Sequence, residues 1–393
     1  MLFPPIDPNE RFRSRRAAAR RRKRLRRAVL IGAALAAVTA LGVGAQYVSS
    51  DAEPSPAQPL AALPTAPPTG GPRALPVEIR GVHVTMALAS LEGKLDEYLG
   101  LADEGMTALE LDVKDENGEV GFVRPAVPLA RAVGAARDYY AAREVARTAH
   151  RRGLYLIGRV VLFEDPVLSQ ARPELAIRRS DGSVWRDAAG LGWTNPYDRR
   201  VWKYNVDIAV AAARAGFDEI MFDYVRFPSD GDVGSAVYAR QGKLGKRDAI
   251  PAFLRYASAR LRPLGVRVSA AVFGLSGVRD LGIGQLPRRM APYLDTVYAM
   301  TYPSHFGAGE LGLADPGGTP GETVARALAR FTRTLRGHDV QLVPWVQDFS
   351  FSKPYRLAEV RAQIDAARLA GAKGFLLWNA EGVYTHGALA PAS

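Results

Sequence analysis

A chain of 393 residues with 48% apolar and 23% charged residues can bury a large core and has an ordinary globular composition. Its formal charge of +12 points to nucleic acid only until its distribution is read. Residues 1–50 hold eleven Arg and Lys against Asp7 and Glu10, which leaves 41 basic and 38 acidic residues in the remainder. A basic arm ahead of a nearly neutral body argues against a nucleic-acid partner. The absence of cysteine excludes disulfides, thiolate zinc sites and a cysteine nucleophile.

The basic arm covers residues 1–27, and its cations run from Arg11 to Arg27. Residues 28–48 then carry no charge, and at about 1.5 Å per residue a helix of that length crosses a bilayer core. Cations just before such a span hold the N-terminus in the cytoplasm and send the rest of the chain across. Val43-Gly44-Ala45 would also suit a cleaved signal peptide, but a signal core runs only about 7–15 residues. The expectation is a membrane signal-anchor with an extracytoplasmic body; secretion after cleavage is the alternative. Residues 49–76 form a Pro/Ala-rich linker with eight prolines from Pro54 to Pro76, a semi-stiff spacer.

From Ile79 short β-rich runs alternate with amphipathic stretches, the pattern of a parallel sheet covered by helices. Strands are predicted at Ile79–Thr85, Ala108–Val113, Tyr155–Phe163, Glu219–Val225, Val266–Phe273, Thr296–Tyr302, Gln341–Gln347 and Gly374–Trp378. Helices are predicted at Leu91–Asp103, Arg137–Arg151, Arg199–Ala215, Asp248–Leu261, Gln285–Leu294, Glu322–Leu335 and Leu357–Ala370, several stopped by glycine. Eight such units predict an α/β fold, a (β/α)8 TIM barrel over residues 77–393, behind one transmembrane helix and the linker. No Gly-x-Gly-x-x-Gly comes after the first strand, which disfavours a dinucleotide fold, and no cofactor is expected.

Chemistry in such a barrel sits at the C-terminal ends of the strands. In the second strand, strict alternation sets Glu110, Asp112 and Lys114 on the inward face, with Asp112 and Lys114 at the rim. Arg159 in the apolar third strand needs an anionic partner, and Asp112 on the neighbouring strand is the candidate. The loop after that strand brings Glu164, Trp185, Trp193 and Asn195, the flat apolar faces and planar polar groups that hold sugars. Asp223 ends the fourth strand among large apolar residues, where its ionised form needs a cation such as Arg226 or Lys114. Tunable carboxylates are what glycosidic chemistry uses, one as acid and one as base or nucleophile.

Asp223-Tyr224-Val225-Arg226-Phe227-Pro228 resembles the strand-four motif of a bacterial family of glycoside-hydrolase-like barrels, once a domain of unknown function. Glu164 to Leu168, Ala171 to Ala176, Asp198 to Asn205, Tyr298 to Pro303 and Trp345 to Phe349 match it in the same order. The resemblance covers about residues 79 to 385 and implies a barrel acting on an envelope or extracellular polysaccharide. More distantly, Met300-Thr301-Tyr302 and Trp378 are similar to motifs of the chitinase-like clan, but Val225 stands where that clan has its acid glutamate. Asp223 is therefore one expected catalytic carboxylate, and Asp112, Glu164, Asp348 and Glu381 compete to be the second. Substrate contacts are expected from Lys114, Arg159, Glu164, Trp185, Trp193, Asn195, Arg226, Tyr302, His305, Trp345, Gln347, Trp378 and Asn379. His83 on the first strand and His305 after the sixth are expected to face the mouth, although a lone histidine is more often a hydrogen-bonded structural residue. No Asp/His cluster has metal-ligand spacing along the chain, and no Gly-x-Ser-x-Gly frames a serine nucleophile. A barrel that binds and tethers glycan without cutting it is the competing reading.

Overall fold

The computed structural model describes residues 72–392. The basic arm, the predicted apolar span and the linker up to residue 71 lie outside the described residues. Among the described residues no helix is long and apolar enough to cross a membrane.

The strands are β1 (Ile79–Val84), β2 (Ala108–Lys114), β3 (Tyr155–Val161), β4 (Glu219–Asp223), β5 (Arg267–Phe273), β6 (Thr296–Met300), β7 (Gln341–Gln347) and β8 (Gly374–Trp378). Each pairs in parallel with the next, and β8 pairs with β1 to close the barrel. Helices α1 (Lys94–Gly100), α2 (Ala142–Arg151), α3 (Arg199–Ala215), α4 (Lys246–Leu261), α5 (Pro287–Met290), α6 (Pro320–Leu335) and α7 (Leu357–Leu369) come after β1 to β7 in turn. The longest, α3, starts where the Asp198 side chain accepts from the Arg200 amide and stops at Gly216, whose φ of 109° only glycine adopts readily.

Three helices are several residues shorter than their patterns predict; α1 starts at Lys94 and gives way to a 3₁₀ turn over Leu101–Glu104. Residues 137–140 are drawn off by backbone bonds to Val120 and Gly121, so α2 begins only at Ala142. Pro287 opens α5, and with Pro292 one turn later the chain tightens into a 3₁₀ turn over Ala291–Tyr293.

Alternation along the strands sorts two cores. Leu109, Leu111 and Val113 of β2 join the layer between strands and helices, while Ile157, Met221, Ala271, Tyr298, Val343 and Leu376 fill the lumen. The expected inward Lys114 is a correction. The β2–β3 register slips after Asp112, so Lys114 lies level with Val160 rather than with the next inward residue. That bulge turns its side chain outward, toward Tyr204 of α3, whose ring is 5.9 Å from Nζ.

Candidate active site

The open end of the barrel gathers charge from four consecutive strands. Asp112 and Arg159 are paired in register on β2 and β3, and Asp223 sits higher, level with Val161. The Arg159 guanidinium joins the two carboxylates: Nη1 donates to Asp112 Oδ1 at 2.7 Å, while Nε and Nη2 approach Asp223 Oδ2 at 2.9 and 2.7 Å. Glu116, in the turn after β2, comes within 3.7 Å of the same Nη1. The second oxygen of Asp223 accepts from the Tyr224 amide at 2.7 Å. Tyr224 itself holds φ at 49°, left-handed backbone that a bulky residue adopts only under constraint, and this turn aims the strand-end carboxylate. Asp223 is 2% exposed, so the pair is desolvated.

Beneath them, His83 of β1 stands level with Glu110 of β2. Its Nδ1 is in direct contact with Glu110 Oε2, and its Nε2 faces Asp112 Oδ2 at 4.0 Å. Burial opposes a charged imidazole here, but Glu110 and then Asp112 raise His83 above its ordinary pKa. Burial pushes the Glu110 carboxyl up, with His83 pulling the other way. Burial likewise opposes the charge on Arg159, and Asp223 and Asp112 more than offset it. Asp115 is pushed up to about 7 by burial and by Glu116, yet its carboxylate is turned onto the amides of Asn117 and Glu119. His83, Glu110 and Asp112 stand close enough to share a cation. Arg159 and a proton on His83 offer the same compensation.

The opposite wall is aromatic. Tyr302, Phe349 and Trp378 form a mutual cluster with centroids 5.3–6.0 Å apart, and the Trp345 ring lies 5.9 Å from His83. The Tyr302 hydroxyl and the Trp345 indole nitrogen are buried with no hydrogen-bond partner in the structure. Burial and the Asp223 charge hold the Tyr302 hydroxyl well above its usual pKa, so it remains a proton-bearing donor. Two donors without partners, beside a desolvated carboxylate pair, mark where polar atoms of a ligand would sit.

Residues 81–384 match the model of the family described as "Putative glycosyl hydrolase domain". The chain belongs to this family. Among solved structures, the family member's barrel resembles the glycoside hydrolase domain of PgaB (BpsB) from Bordetella bronchiseptica, at 16% identity and a TM-score of 0.56, over 77% of this chain and 94% of that one. It also resembles an endo-1,4-beta-D-mannanase from Thermotoga petrophila, at 12% identity and a TM-score of 0.51, over 77% and 88%. At such identities the likeness shows the fold alone. A hypothetical protein from Ruminiclostridium thermocellum is 38% identical over 48% of this chain and 96% of its own, with a TM-score of 0.44. No curated protein matches the chain.

Several residues expected at the mouth of this family member serve its scaffold instead. Lys114 is 0% exposed; its Nζ donates to the carbonyls of Val161 and Leu162 and pairs with Asp165 at 2.9 Å. Trp185 and Trp193 are also 0% exposed and offer no ring face to a sugar. Their indole nitrogens donate to the Asp232 carbonyl and to Asp187, folding the β3–α3 loop around them. Asn195 pins that loop through the Ala239 carbonyl and the Tyr197 amide, and Glu164 is buried where its backbone bridges to Trp193. Arg226 lies 4.8–4.9 Å from the rings of Phe273, Trp193 and Tyr224, so the cation beside Asp223 is Arg159. Both ends of the Gln347 amide are used, on the Ser304 amide and the Phe349 carbonyl. Asp348 accepts from the Thr385 amide and hydroxyl, Asn379 holds the Asp348 carbonyl, and Glu381 is exposed beyond them. His305 is exposed and edge-on to Tyr302.

Proposed function

We propose that this protein is a glycoside hydrolase of the cell envelope or of extracellular polysaccharide, with Asp223 as a working carboxylate paired with Asp112 across the Arg159 guanidinium. The observation that carries the reading is the buried Asp112–Arg159–Asp223 bridge facing an aromatic wall with two unpartnered donors. Family membership and the hydrolase barrels it resembles support a glycan-active body. Arg159 pairs with Asp223 and orients a carboxylate that would act as nucleophile or general base, and the unpartnered Tyr302 hydroxyl and Trp345 indole N–H supply donors for the hydroxyls of a sugar. Hydrogen bonds from these donors would hold the sugar while the carboxylate acts on the developing oxocarbenium charge.

A second reading, a barrel that binds glycan without cutting it, is favoured by one observation. Val225 lies buried where a chitinase-like acid would stand, and both carboxylates of the bridge already have partners. Incubating the full-length chain with envelope and secreted polysaccharides, and reading new reducing ends, decides between the two. We further propose that the body is extracytoplasmic and anchored by residues 28–48.

A further inference from the structure

If the barrel cuts glycosidic bonds, something must deliver a proton to the departing oxygen, and the carboxyl groups of the mouth are poorly placed for it. Asp112 and Asp223 are tied to Arg159, Asp348 to Thr385, and Asp115 to the amides of its own turn. Glu116 lies 3.7 Å from the same guanidinium. His83 differs from all of them. One ring nitrogen is braced by Glu110, and the other faces Asp112 Oδ2 at 4.0 Å, with the Trp345 ring 5.9 Å away. It is 4% exposed, on β1, three strands round the closed barrel from the β4 that carries Asp223. The Tyr384 hydroxyl donates to the His83 carbonyl and fixes the backbone beneath the ring.

We propose that His83 is the general acid of this barrel: with Nδ1–H held by Glu110, its Nε2–H donates to the glycosidic oxygen opposite Asp223. The inference rests on the glycoside hydrolase reading and deepens it. The proton leaves Nε2 for the glycosidic oxygen as the bond from that oxygen to the anomeric carbon breaks, with the bonding pair staying on the oxygen. The Asp223 carboxylate then either bonds to the anomeric carbon or takes a proton from the water that does. In the first course a water then bonds to the anomeric carbon as the ester bond to Asp223 breaks, and its proton returns to Nε2. In the second, the proton on Asp223 passes to solvent and His83 is reprotonated from solvent. Either way one water is consumed and two hydroxyl groups are formed.

The groups facing the ring act in opposite senses. Glu110 and Asp112 on β2 favour the imidazolium; burial and Arg159 on β3 oppose it, and the net effect is upward. His83 therefore keeps its proton above the ordinary value near 6.5, so activity should persist above that pH and fall as the imidazolium is lost. The carboxylate–imidazole pair also fixes which nitrogen faces the substrate, as a base-orienting carboxylate does in a hydrolytic triad.

The test compares two leaving groups on the full-length chain, using phenyl and 2,4-dinitrophenyl glycosides of the sugar that the wild type releases from polysaccharide. His83→Gln should lose about 100-fold or more on the phenyl glycoside and far less on the dinitrophenyl glycoside, whose departure needs no proton. Its pH–rate profile should also lose the alkaline limb. Glu110→Gln should retain that limb but move it to lower pH, because the main group raising His83 has gone. Equal losses on both leaving groups, or an alkaline limb that survives His83→Gln, would overturn the assignment. So would a stoichiometric divalent cation that copurifies with the wild type and is lost in His83→Gln, since the cluster would then be a metal site. If His83→Gln fails to fold, the Glu110→Gln limb and a ¹⁵N titration of His83 in the wild type still decide. An imidazole that titrates below 6.5 refutes the proposal. A wild type that cleaves neither glycoside nor any polysaccharide refutes the glycoside hydrolase reading itself.

Discussion

Replacing Arg159 by methionine removes the cation that joins Asp112 and Asp223 while keeping much of the side-chain volume. Three charge-assisted contacts of 2.7–2.9 Å disappear, and two desolvated carboxylates lose their shared partner. Removing one member of a buried pair costs about 3–5 kcal/mol. Stranding two carboxylates puts this case at the upper end, near 5 kcal/mol. Protonation limits the damage: neutralising a carboxyl with an ordinary pKa near 3.9 at pH 7 costs about 4 kcal/mol, and that cost falls by about 1.4 kcal/mol per pH unit. The deficit should therefore shrink on acidification, to about 2 kcal/mol at pH 5. With an unfolding entropy of about 2.1 cal/mol/K per residue over some 320 residues, 5 kcal/mol corresponds to a Tm lower by about 7 °C. Paired urea and thermal melts at pH 7 and 5 measure both quantities. Arg159→Met/Asp112→Asn/Asp223→Asn should recover most of the loss, because no charge is stranded. A single-variant deficit below about 1 kcal/mol, or a triple variant no more stable than the single, would show that the three residues are not one network.

Lys114→Met and Trp185→Ala should each destabilise the body by about 3–5 kcal/mol, the first by stranding Asp165 and the second by opening a cavity, while KM stays at the wild-type value. A raised KM with unchanged stability would return them to the mouth. For topology, protease added outside intact spheroplasts should remove the body and leave a tag before Arg11 protected. A body that survives contradicts an extracytoplasmic location.

The barrel is readable in the sequence because its strands repeat a short rule. Each β-rich run ends in chemistry or a turn, and all eight predicted runs overlap the observed strands, five of them within one residue at both ends. What fails is the step from period to side. Lys114 obeys the alternation of β2 on paper, but one extra residue in the register after Asp112 turns it outward. Trp185 and Trp193 fail for another reason. Aromatics in a long loop can stack on a ligand or form the loop's own core, and only the bonds to Asp232 and Asp187 show which. Arg159 illustrates what pattern reading can reach. Its need for an anion comes from burial alone, but that it serves Asp223 as well as Asp112 depends on Asp223 standing two residues above Met221, the register partner of Arg159. Alternation puts Glu110 on the inward face and His83 falls on β1, yet nothing linear links residues 27 apart; their contact comes from barrel closure and register.

The central claim is that Asp223 takes part in breaking a glycosidic bond. The most direct measurement is turnover by the full-length chain and its Asp223→Asn variant on whichever polysaccharide yields reducing ends. Melting curves and glycan affinity are measured in parallel. The account predicts that Asp223→Asn keeps the fold and binds glycan, while turnover falls by several orders of magnitude, the scale lost with a catalytic group. Cleavage that continues undiminished in Asp223→Asn would contradict it.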